Sequence, residues 1–297
     1  MKNKIFISGA TGFIGSHLCE TAVKKGYKVV AFDRYNSNRD LGCLKNSKYL
    51  KDIEIILGDI RDYDSVYKSM KGCKTIFHLA ALIGIPYSYF SPLAYVKTNI
   101  EGTYNVLESC KNLNIKQIIS TSTSETYGSA TYVPMDEKHP LFAQSPYAAS
   151  KISADHMALS YWNSFKLPIK IIRPFNTFGP RQSLRAVIPT IINQIIDNKK
   201  IIKLGNLKTK RNYNFVEDIV RGFELAARSK SNTNGQIINL GSNLEVSVKK
   251  LVYLISKIEG IKIRINSEKT RVRPKNSEVL RLTASHIKAK KLLNWTP

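Results

Sequence analysis

The feature that most constrains the fold of this chain is the alternation of short β-rich runs with longer helical patterns over the first 175 of its 297 residues. Predicted strands cover residues 4–8, 28–32, 53–57, 75–79, 117–121 and 169–173. Predicted helices cover residues 12–25, 62–70, 92–112 and 146–165. Strands that are joined through helices form a parallel sheet with both faces covered. The sequence therefore predicts a Rossmann-like, doubly wound α/β domain at residues 1–175.

The regular alternation loosens after this region. Predicted helices at 188–197, 216–227 and 248–258 alternate with predicted strands at 201–204, 236–240 and 262–265. We predict a smaller α/β lobe at residues 176–297, with segments around 213–241 returning to the first domain. The chain stops at Pro297 without a predicted final cap, which leaves room for a natural protein that continues further.

The charge composition bears on whether the protein binds nucleic acid. The chain has 46 lysines and arginines against 22 aspartates and glutamates, a net charge of +24. The basic residues are scattered and form no block of five or six, so we interpret them as a solvated surface rather than a nucleic-acid tail. A surface that attracts anionic ligands or nucleic acid is the alternative.

The cysteines and the hydropathy pattern bear on the compartment. The four cysteines form no C-x-x-C pair, so neither a disulfide framework nor a metal site is predicted. No apolar run reaches the length of a membrane span, and the N-terminus is too short for a signal-peptide core. We expect a cytoplasmic protein without a membrane partner.

A G-x-x-G-x-x-G motif, formed by Gly9, Gly12 and Gly15, follows the first predicted strand and opens the first helix. Glycines let the backbone turn tightly and approach a pyrophosphate, and a helix N-terminus supplies N–H donors. Asp33 closes the second strand, where a carboxylate can accept hydrogen bonds from both ribose hydroxyls of NAD. Arg34 beside it could instead receive the 2′-phosphate of NADP. We predict NAD.

Two further strand ends offer cofactor contacts. Asp59 can accept from an adenine amino group, although a helix N-cap is its alternative role, one that suits Asp62 better. Small residues at 79–81, after the fourth strand, allow a backbone to pass close to the cofactor. The same residues would also suit helix–sheet packing.

The candidate chemical site follows the fifth strand. Tyr147 and Lys151 are spaced i and i+4 and therefore share one helix face. Tyrosine is a poor base at neutral pH, but an ammonium and an oxidised nicotinamide both favour its phenolate. Glu125, at the carboxyl end of the strand, is a candidate general base. Its alternative role is an exposed glutamate near a turn.

These motifs together resemble the extended short-chain dehydrogenase/reductase family, the NAD-dependent epimerases and dehydratases, over essentially the whole chain. The segments that carry the resemblance are 9–18, 78–81, 99–103, 123–128 and 147–151. The resemblance implies bound NAD, a nucleotide-sugar substrate held by the 176–297 lobe, and a homodimer built through a four-helix bundle. The implied cofactor-contacting residues are Gly9, Thr11, Gly12, Phe13, Ile14, Gly15, Asp33, Arg34, Asp59, Ile60, Leu79, Ala80, Ala81, Asn99, Tyr147 and Lys151.

The resemblance also implies catalytic and substrate-binding roles. The catalytic set is Thr123, Ser124, Glu125, Tyr147 and Lys151. The substrate set is Ile85, Tyr87, Asn176, Arg181, Arg211 and Arg273, because arginine forks bind diphosphate oxygens well. Each arginine taken singly could instead be a surface charge.

Within the family, the segment 123–125 is similar to the Thr-Asp-Glu of sugar 4,6-dehydratases, with Ser124 in place of Asp. The segments 83–92 and 132–141 resemble N-acetylglucosamine 4,6-dehydratases of nonulosonate (legionaminic-type) pathways, which act on a UDP- or GDP-linked sugar. The alternatives are a nucleotide-sugar decarboxylase, a 4-epimerase, or a protein that binds NAD or nucleic acid without catalysis. We expect a dehydratase that binds no nucleic acid.

Overall fold

The computed structural model describes residues 3–197, 201–268 and 274–297. Its main sheet contains seven strands among these residues, all parallel, in the order β11-β6-β5-β4-β1-β2-β3. The strands of the chain are β1 Lys4–Ser8, β2 Lys28–Arg34, β3 Ile53–Gly58, β4 Thr75–His78, β5 Gln117–Thr121, β6 Ile169–Pro174, β7 Thr177–Phe178, β8 Ile201–Leu204, β9 Lys210–Arg211, β10 Asn214–Phe215, β11 Ile237–Leu240, β12 Val246–Ser247, β13 Arg264–Ser267 and β14 Arg281–Leu282.

Helices cover both faces of this sheet. They are α1 Phe13–Lys24, α2 Tyr63–Met70, α3 Ile85–Phe90, α4 Pro92–Tyr95, α5 Gly102–Asn112, α6 Pro146–Phe165, α7 Val187–Ile196, α8 Val216–Arg228, α9 Val248–Ile258 and α10 Ile287–Leu293. One face packs against α1 and α8 through side chains such as Leu18 and Phe223. The other face packs against α2, α5 and α6 through side chains such as Val66 and Leu107. The predicted doubly wound sheet is confirmed.

Helix α6 matters most for the site, and local chemistry explains its limits. Ser145 caps its N-terminus by accepting a hydrogen bond from the Ala148 N–H, and Pro146 occupies the first turn. Lys166 ends the helix in the left-handed conformation. The helix is therefore a rigid support for Tyr147 and Lys151, which both lie in its first two turns.

The segment predicted as one helix at 92–112 is built in three parts. A π-helical turn, Val96–Glu101, joins α4 to α5. Such turns shift the hydrogen-bond register and often accompany functional sites. Asn99 lies within this turn and is buried.

The chain beyond β6 forms smaller sheets and also extends the main one. Strand β7 pairs with β10, β8 with β13, and β9 with both β12 and β14. Strand β11 pairs in parallel with β6 from Ile237↔Ile171 to Leu240↔Pro174 and so forms the edge of the main sheet. The boundary between two lobes near residue 175 remains a prediction.

Candidate active site

A cleft of about 540 Å³ lies at the carboxyl ends of β1, β4, β5 and β6. Parallel sheets bind ligands at this edge. Of the predicted residues, the cleft is lined by Gly9, Thr11, Gly12, Phe13, Ile14, Gly15, Asp33, Leu79, Ala81, Ile85, Thr123, Ser124, Glu125, Tyr147 and Asn176. A larger open cavity of about 960 Å³ lies near α9 and β13 but contains none of them.

The glycine loop is packed too tightly for side chains. A Cβ on Gly15 would lie 2.1 Å from the Gly9 carbonyl oxygen, and a Cβ on Gly9 would lie 2.8 Å from the Ala80 nitrogen. Gly9 also has a φ of +70°. Gly12 precedes α1 without any side-chain cap, so the first backbone N–H groups of the helix are free of a capping side chain. This arrangement suits a phosphate group.

Asp33 is fixed at the tip of β2. Its Oδ2 accepts hydrogen bonds of 2.7 Å from both the backbone N–H and the hydroxyl of Thr11. Its Oδ1 accepts from the Arg34 N–H over 2.8 Å. Carboxylate oxygens have further lone pairs, so Asp33 can still accept from a ribose. The Arg34 side chain is exposed and does not line the cleft.

Asp59 and Ile60 lie outside the cleft lining. The Asp59 carboxylate forms a two-pronged ion pair with Arg61, which lowers the pKa of Asp59. Ile60 is buried against Gly102 in α5. Asp62 caps α2 by accepting from the Asp64 and Ser65 N–H groups. The predicted adenine contact of Asp59 stays a prediction.

Asn99 organises the loop after β4. Its side chain accepts from the Leu82 N–H at 2.8 Å and donates to the Leu82 carbonyl at 3.0 Å. It also donates to the hydroxyl of Ser150 in α6 at 2.9 Å. Leu79 and Ala81 line the cleft, whereas Ala80 packs beneath Gly9. Asn99 thereby ties this loop to the helix that carries Tyr147.

Tyr147 and Thr123 both line the cleft, and their hydroxyls are close enough to interact. Burial raises the pKa of Tyr147, while the hydrogen bond from Thr123 opposes that rise. An ionised Tyr147 therefore needs positive charge nearby. The contact brings the two predicted catalytic oxygens together.

Lys151 lies behind Tyr147 and is 5% exposed. Its ammonium donates a hydrogen bond of 2.6 Å to the Thr121 carbonyl. Burial lowers the pKa of Lys151, whereas the charge of Asp155 raises it. Lys151 does not line the cleft, and its predicted role as the partner of Tyr147 stays a prediction.

Ser124 and Glu125 begin a short 3₁₀ helix, Ser124–Tyr127. Thr123 caps this helix by accepting from the Glu125 N–H at 3.3 Å. Ser124 is buried, Glu125 is half-buried, and both line the cleft with Tyr147. A carboxylate is thus present in the same wall as the tyrosine and threonine hydroxyls.

Among the predicted substrate residues that the structure describes, only Ile85 and Asn176 line the cleft. The Asn176 Oδ1 and the Thr121 Oγ1 are buried and accept no hydrogen bond from the described protein atoms. Tyr87 is half-exposed, with its ring 6.1 Å from that of Tyr95. Two buried, unpaired oxygens in a cleft lining suit a polar ligand.

Of the three arginines predicted to bind the diphosphate, the two that lie in the described residues have partners within the chain. Arg181 forms a 2.8 Å ion pair with Glu20 of α1 and donates to Ser16. Arg211 is buried and donates to the Val279 carbonyl at 2.6 Å. Arg273 lies outside the described residues. Their predicted diphosphate contacts stay predictions.

Sequence reasoning gave no role to three buried residues near the site. The ring of Tyr95 lies 6.2 Å from that of Tyr147, edge on. Arg173 and Asp155 form a fully buried ion pair over 2.7 Å. The i+4 spacing from Lys151 to Asp155 was a usable signal, but the pairing with β6 depends on tertiary structure.

Comparison with known proteins decides the family. A family model described as GDP-mannose 4,6 dehydratase matches residues 6–297. The chain belongs to this family. It is therefore a member of the nucleotide-sugar-modifying extended short-chain dehydrogenase/reductases, and the resemblance seen in the sequence is confirmed.

Relatives in this family carry out different reactions. The chain is 35% identical to a dTDP-D-glucose 4,6-dehydratase of Dictyostelium discoideum, over 82% of this chain and 59% of that protein. It is 32% identical to a UDP-N-acetyl-alpha-D-glucosaminuronate decarboxylase of Bacillus cytotoxicus, over 84% of this chain and 78% of that protein.

A solved structure in the family contains the cofactor. The fold matches a UDP-glucuronic acid 4-epimerase from Bacillus cereus, in complex with UDP-glucuronic acid and NAD, with a TM-score of 0.89. The sequences are 30% identical, and the match covers 99% of this chain and 94% of that one. NAD is thus a cofactor of the family.

The described residues contain neither a membrane-spanning helix nor a cluster of metal-ligating side chains. No helix in these ranges is long and apolar enough to cross a membrane. No group of three or more metal-ligating side chains occurs in the same part of the chain.

Proposed function

We propose that this protein is an NAD-dependent nucleotide-sugar 4,6-dehydratase that converts UDP- or GDP-N-acetylglucosamine to the 4-keto-6-deoxy sugar. The observation that carries the proposal is one cleft wall that combines the Thr123–Tyr147 contact with the Glu125 carboxylate. An epimerase needs no carboxylate at Glu125, whereas elimination across C5 and C6 needs a base for the C5 proton.

The residues of the cleft fit NAD. The uncapped start of α1 offers N–H groups to a pyrophosphate, and the tightly packed glycines let it approach. The Asp33 carboxylate lines the same cleft, where it suits ribose hydroxyls and repels a 2′-phosphate. When bound, NAD would supply the hydride chemistry, which is oxidation at sugar C4 and reduction at C6.

The protein moves the protons of this cycle. Tyr147, with the Thr123 hydroxyl beside it, removes the proton from the sugar O4 hydroxyl as C4 is oxidised. The resulting 4-ketone acidifies the C5 hydrogen. Glu125 removes that proton as water leaves from C6. Of the two protons taken up, one leaves with the C6 hydroxyl as water and the other returns to C5 as hydride returns to C6. The cofactor is thereby regenerated, and the net change is loss of one water.

Product analysis tests the proposal. Purified protein with NAD is incubated with UDP- and with GDP-N-acetylglucosamine, and the products are read by mass spectrometry. We expect loss of one water from one of them. In a parallel incubation with the corresponding hexuronate, loss of carbon dioxide would indicate a decarboxylase. An inverted C4 with unchanged mass would indicate an epimerase.

Glu125→Gln tests the role of the carboxylate. We expect it to abolish deuterium exchange from solvent at C5 while NAD binding persists. Glu54→Gln is the matched control, because Glu54 is a surface carboxylate paired with Lys4, and it should exchange like the native protein. Exchange retained in Glu125→Gln would remove Glu125 from the role of base.

A further inference from the structure

A buried polar cluster lies directly behind the Tyr147–Lys151 pair. Asp155 follows Lys151 by one turn of α6 and is 2% exposed, and Arg173 on β6 is 0% exposed. The guanidinium of Arg173 donates to the Asp155 carboxylate over 2.7 Å. Ser122, just after β5, donates its hydroxyl to Asp155 and accepts from Arg173 Nε at 3.1 Å. The cluster therefore joins α6, β6 and the end of β5.

This junction lies where the catalytic groups are aligned. Thr121 and Thr123 flank Ser122; the Thr121 carbonyl accepts from Lys151, and Thr123 contacts Tyr147. The Ser122 N–H is itself fixed to the Ile172 carbonyl at 2.7 Å. Movement of α6 relative to Ser122 would therefore misalign both contacts at once.

The charges of the cluster also act on the catalytic groups. Asp155 favours the ammonium form of Lys151, against the effects of burial and of the Arg173 charge. The same negative charge disfavours the phenolate of Tyr147. The positive charge of Arg173, which is paired with Asp155, partly cancels the negative charge of Asp155. The Lys151 ammonium can thereby stabilise the phenolate of Tyr147, while the full charge of Asp155 does not destabilise it.

Stability alone does not account for such a pair. Removing two charges from water costs free energy that their mutual attraction only partly returns. One guanidinium nitrogen of Arg173, Nη1, is in addition buried without a hydrogen-bond partner among the described atoms. Apolar residues of similar volume often serve a protein interior as well or better.

We propose that Asp155 and Arg173 are positioning residues for the Tyr147–Lys151 couple, which hold α6 against the end of β5 and balance the charge beneath the base. The proposal rests on the proposed role of Tyr147 as the base. It assigns no contact with substrate or cofactor to either residue.

Other titratable groups face this cluster, and the test must account for them. They come from five parts of the structure: His78 on β4, Tyr95 on α4, Glu125 and Tyr127 after β5, Glu137 in the following loop, and Lys288 on α10. The ring of Tyr127 lies 4.5 Å from the Arg173 guanidinium carbon. Variants that leave these groups unchanged isolate the effect of the pair.

The test compares Arg173→Met with the double variant Asp155→Asn/Arg173→Met. In Arg173→Met, the uncompensated Asp155 should raise the pKa of Tyr147, so the acid limb of the pH profile of kcat/KM moves to higher pH by on the order of one unit. In the double variant, neither charge remains, and the limb should return to within about 0.3 unit of native. Arg173→Lys keeps the charge but not the fork, so we expect a native limb with a lower kcat and little change in KM.

Lys170→Met is the matched control. Lys170 is also a fully buried cation of β6, but it donates to Gln117 and has no link to Tyr147 or Lys151. Its loss should leave the pH profile native even if stability falls. A shift equal to that of Arg173→Met would overturn the proposal, as would an unshifted profile in Arg173→Met itself.

A second readout needs no turnover. Phenolate absorbance of the NAD-bound protein, taken as the difference from Tyr147→Phe, titrates Tyr147 directly. We expect the pKa values of Tyr147 to rank the variants as the pH profiles do, with Arg173→Met highest and the double variant close to native. The proposal fails if the double variant titrates like Arg173→Met. Because no substrate is present, this result stands or falls independently of the dehydratase reaction, and the double variant remains informative if Arg173→Met does not fold.

Discussion

Asp33 is the side chain that we predict to select the cofactor. Thr11 holds its carboxylate by two hydrogen bonds, so the group is already oriented before any ligand arrives. Asp33→Asn preserves the shape but removes the charge. Since a hydrogen bond to a charged group contributes roughly 1.5–3 kcal/mol, we expect NAD to bind about 10- to 100-fold more weakly.

Calorimetric titration with NAD and NADP measures this effect. The preference for NAD over NADP should shrink in Asp33→Asn, because the repulsion of the 2′-phosphate is lost. Asp52→Asn, an exposed carboxylate after the same domain's second strand, serves as the control. Unchanged affinity for NAD in Asp33→Asn would contradict the assignment.

His78 links a single residue to the pH dependence of stability. Its Nε2 lies 3.0 Å from the Thr103 hydroxyl, which already donates to the Asn99 carbonyl, so Nε2 must be the donor. Its Nδ1 then accepts from Ser8 at 2.9 Å. Burial, with a smaller contribution from Lys151, lowers the pKa of His78 to about 3.

The sign of the effect follows from the lowered pKa. The unfolded chain binds a proton at His78 below its ordinary pKa of 6.5, and the folded chain does not until about pH 3. Stability from this residue is therefore complete above pH 6.5 and declines by roughly 1.4 kcal/mol per pH unit below it. Between pH 7 and pH 5, the free energy of unfolding measured in urea should fall by about 2 kcal/mol more for native protein than for His78→Gln. His156→Gln, at an exposed site on α6, should behave like native; equal losses in all three proteins would refute the prediction.

At the scale of elements, the contact between the glycine loop and α1 sets the sharpest steric limit. A methyl group at Gly15 would meet the backbone of Gly9, which cannot move without displacing Ala80. We expect Gly15→Ala to lower the free energy of unfolding by about 1–3 kcal/mol or more, and to weaken NAD binding. Thermal unfolding measures the first effect. Gly84→Ala is the control, because its methyl group would make only ordinary contacts at 3.6 Å.

The observed elements also show which features of the fold can be predicted from the sequence. Strand and helix positions such as 117–121 and 146–165 followed from local periodicity and agree with β5 and α6. The π-helical turn at Val96–Glu101 did not, because its register depends on where Asn99 meets Leu82 and Ser150. The Asp155–Arg173 pair was equally out of reach, since β6 meets α6 only in the folded chain.

The cleft residues also divide into those that the sequence pattern predicts correctly and those that it does not. Motif residues next to strand ends, such as Asp33 and Glu125, line the cleft as the pattern indicates. Arg181 and Arg211 do not, because their charges are taken up by Glu20 and by backbone carbonyls that no local pattern reveals. Spacing along the chain predicts which groups share an edge of the sheet, but not which partners bind each side chain.

For the whole molecule, exposed apolar residues on the α3–α5 region form the surface at which we expect two copies to meet. Phe90, Leu93, Val96 and Tyr104 are between 43% and 86% exposed. We expect the native protein to have the mass of a dimer by light scattering, as the family resemblance implies. Tyr104→Glu should yield a monomer, because burying a charge in an apolar contact is costly. Ile258→Glu, on the remote helix α9, should remain dimeric. A monomeric native protein would contradict the prediction.

The edge position of β11 has a consequence for building hybrids with related enzymes. A recombination point just after β6 would give the main sheet an outermost strand from a different parent, because that strand arrives only at residues 237–240. Its inward-facing side chains would then meet a foreign partner along β6. Hybrids that inherit β6, α8 and β11 from one parent, and exchange only the stretch between β7 and α8 or the segment after β11, should retain a native dinucleotide fold.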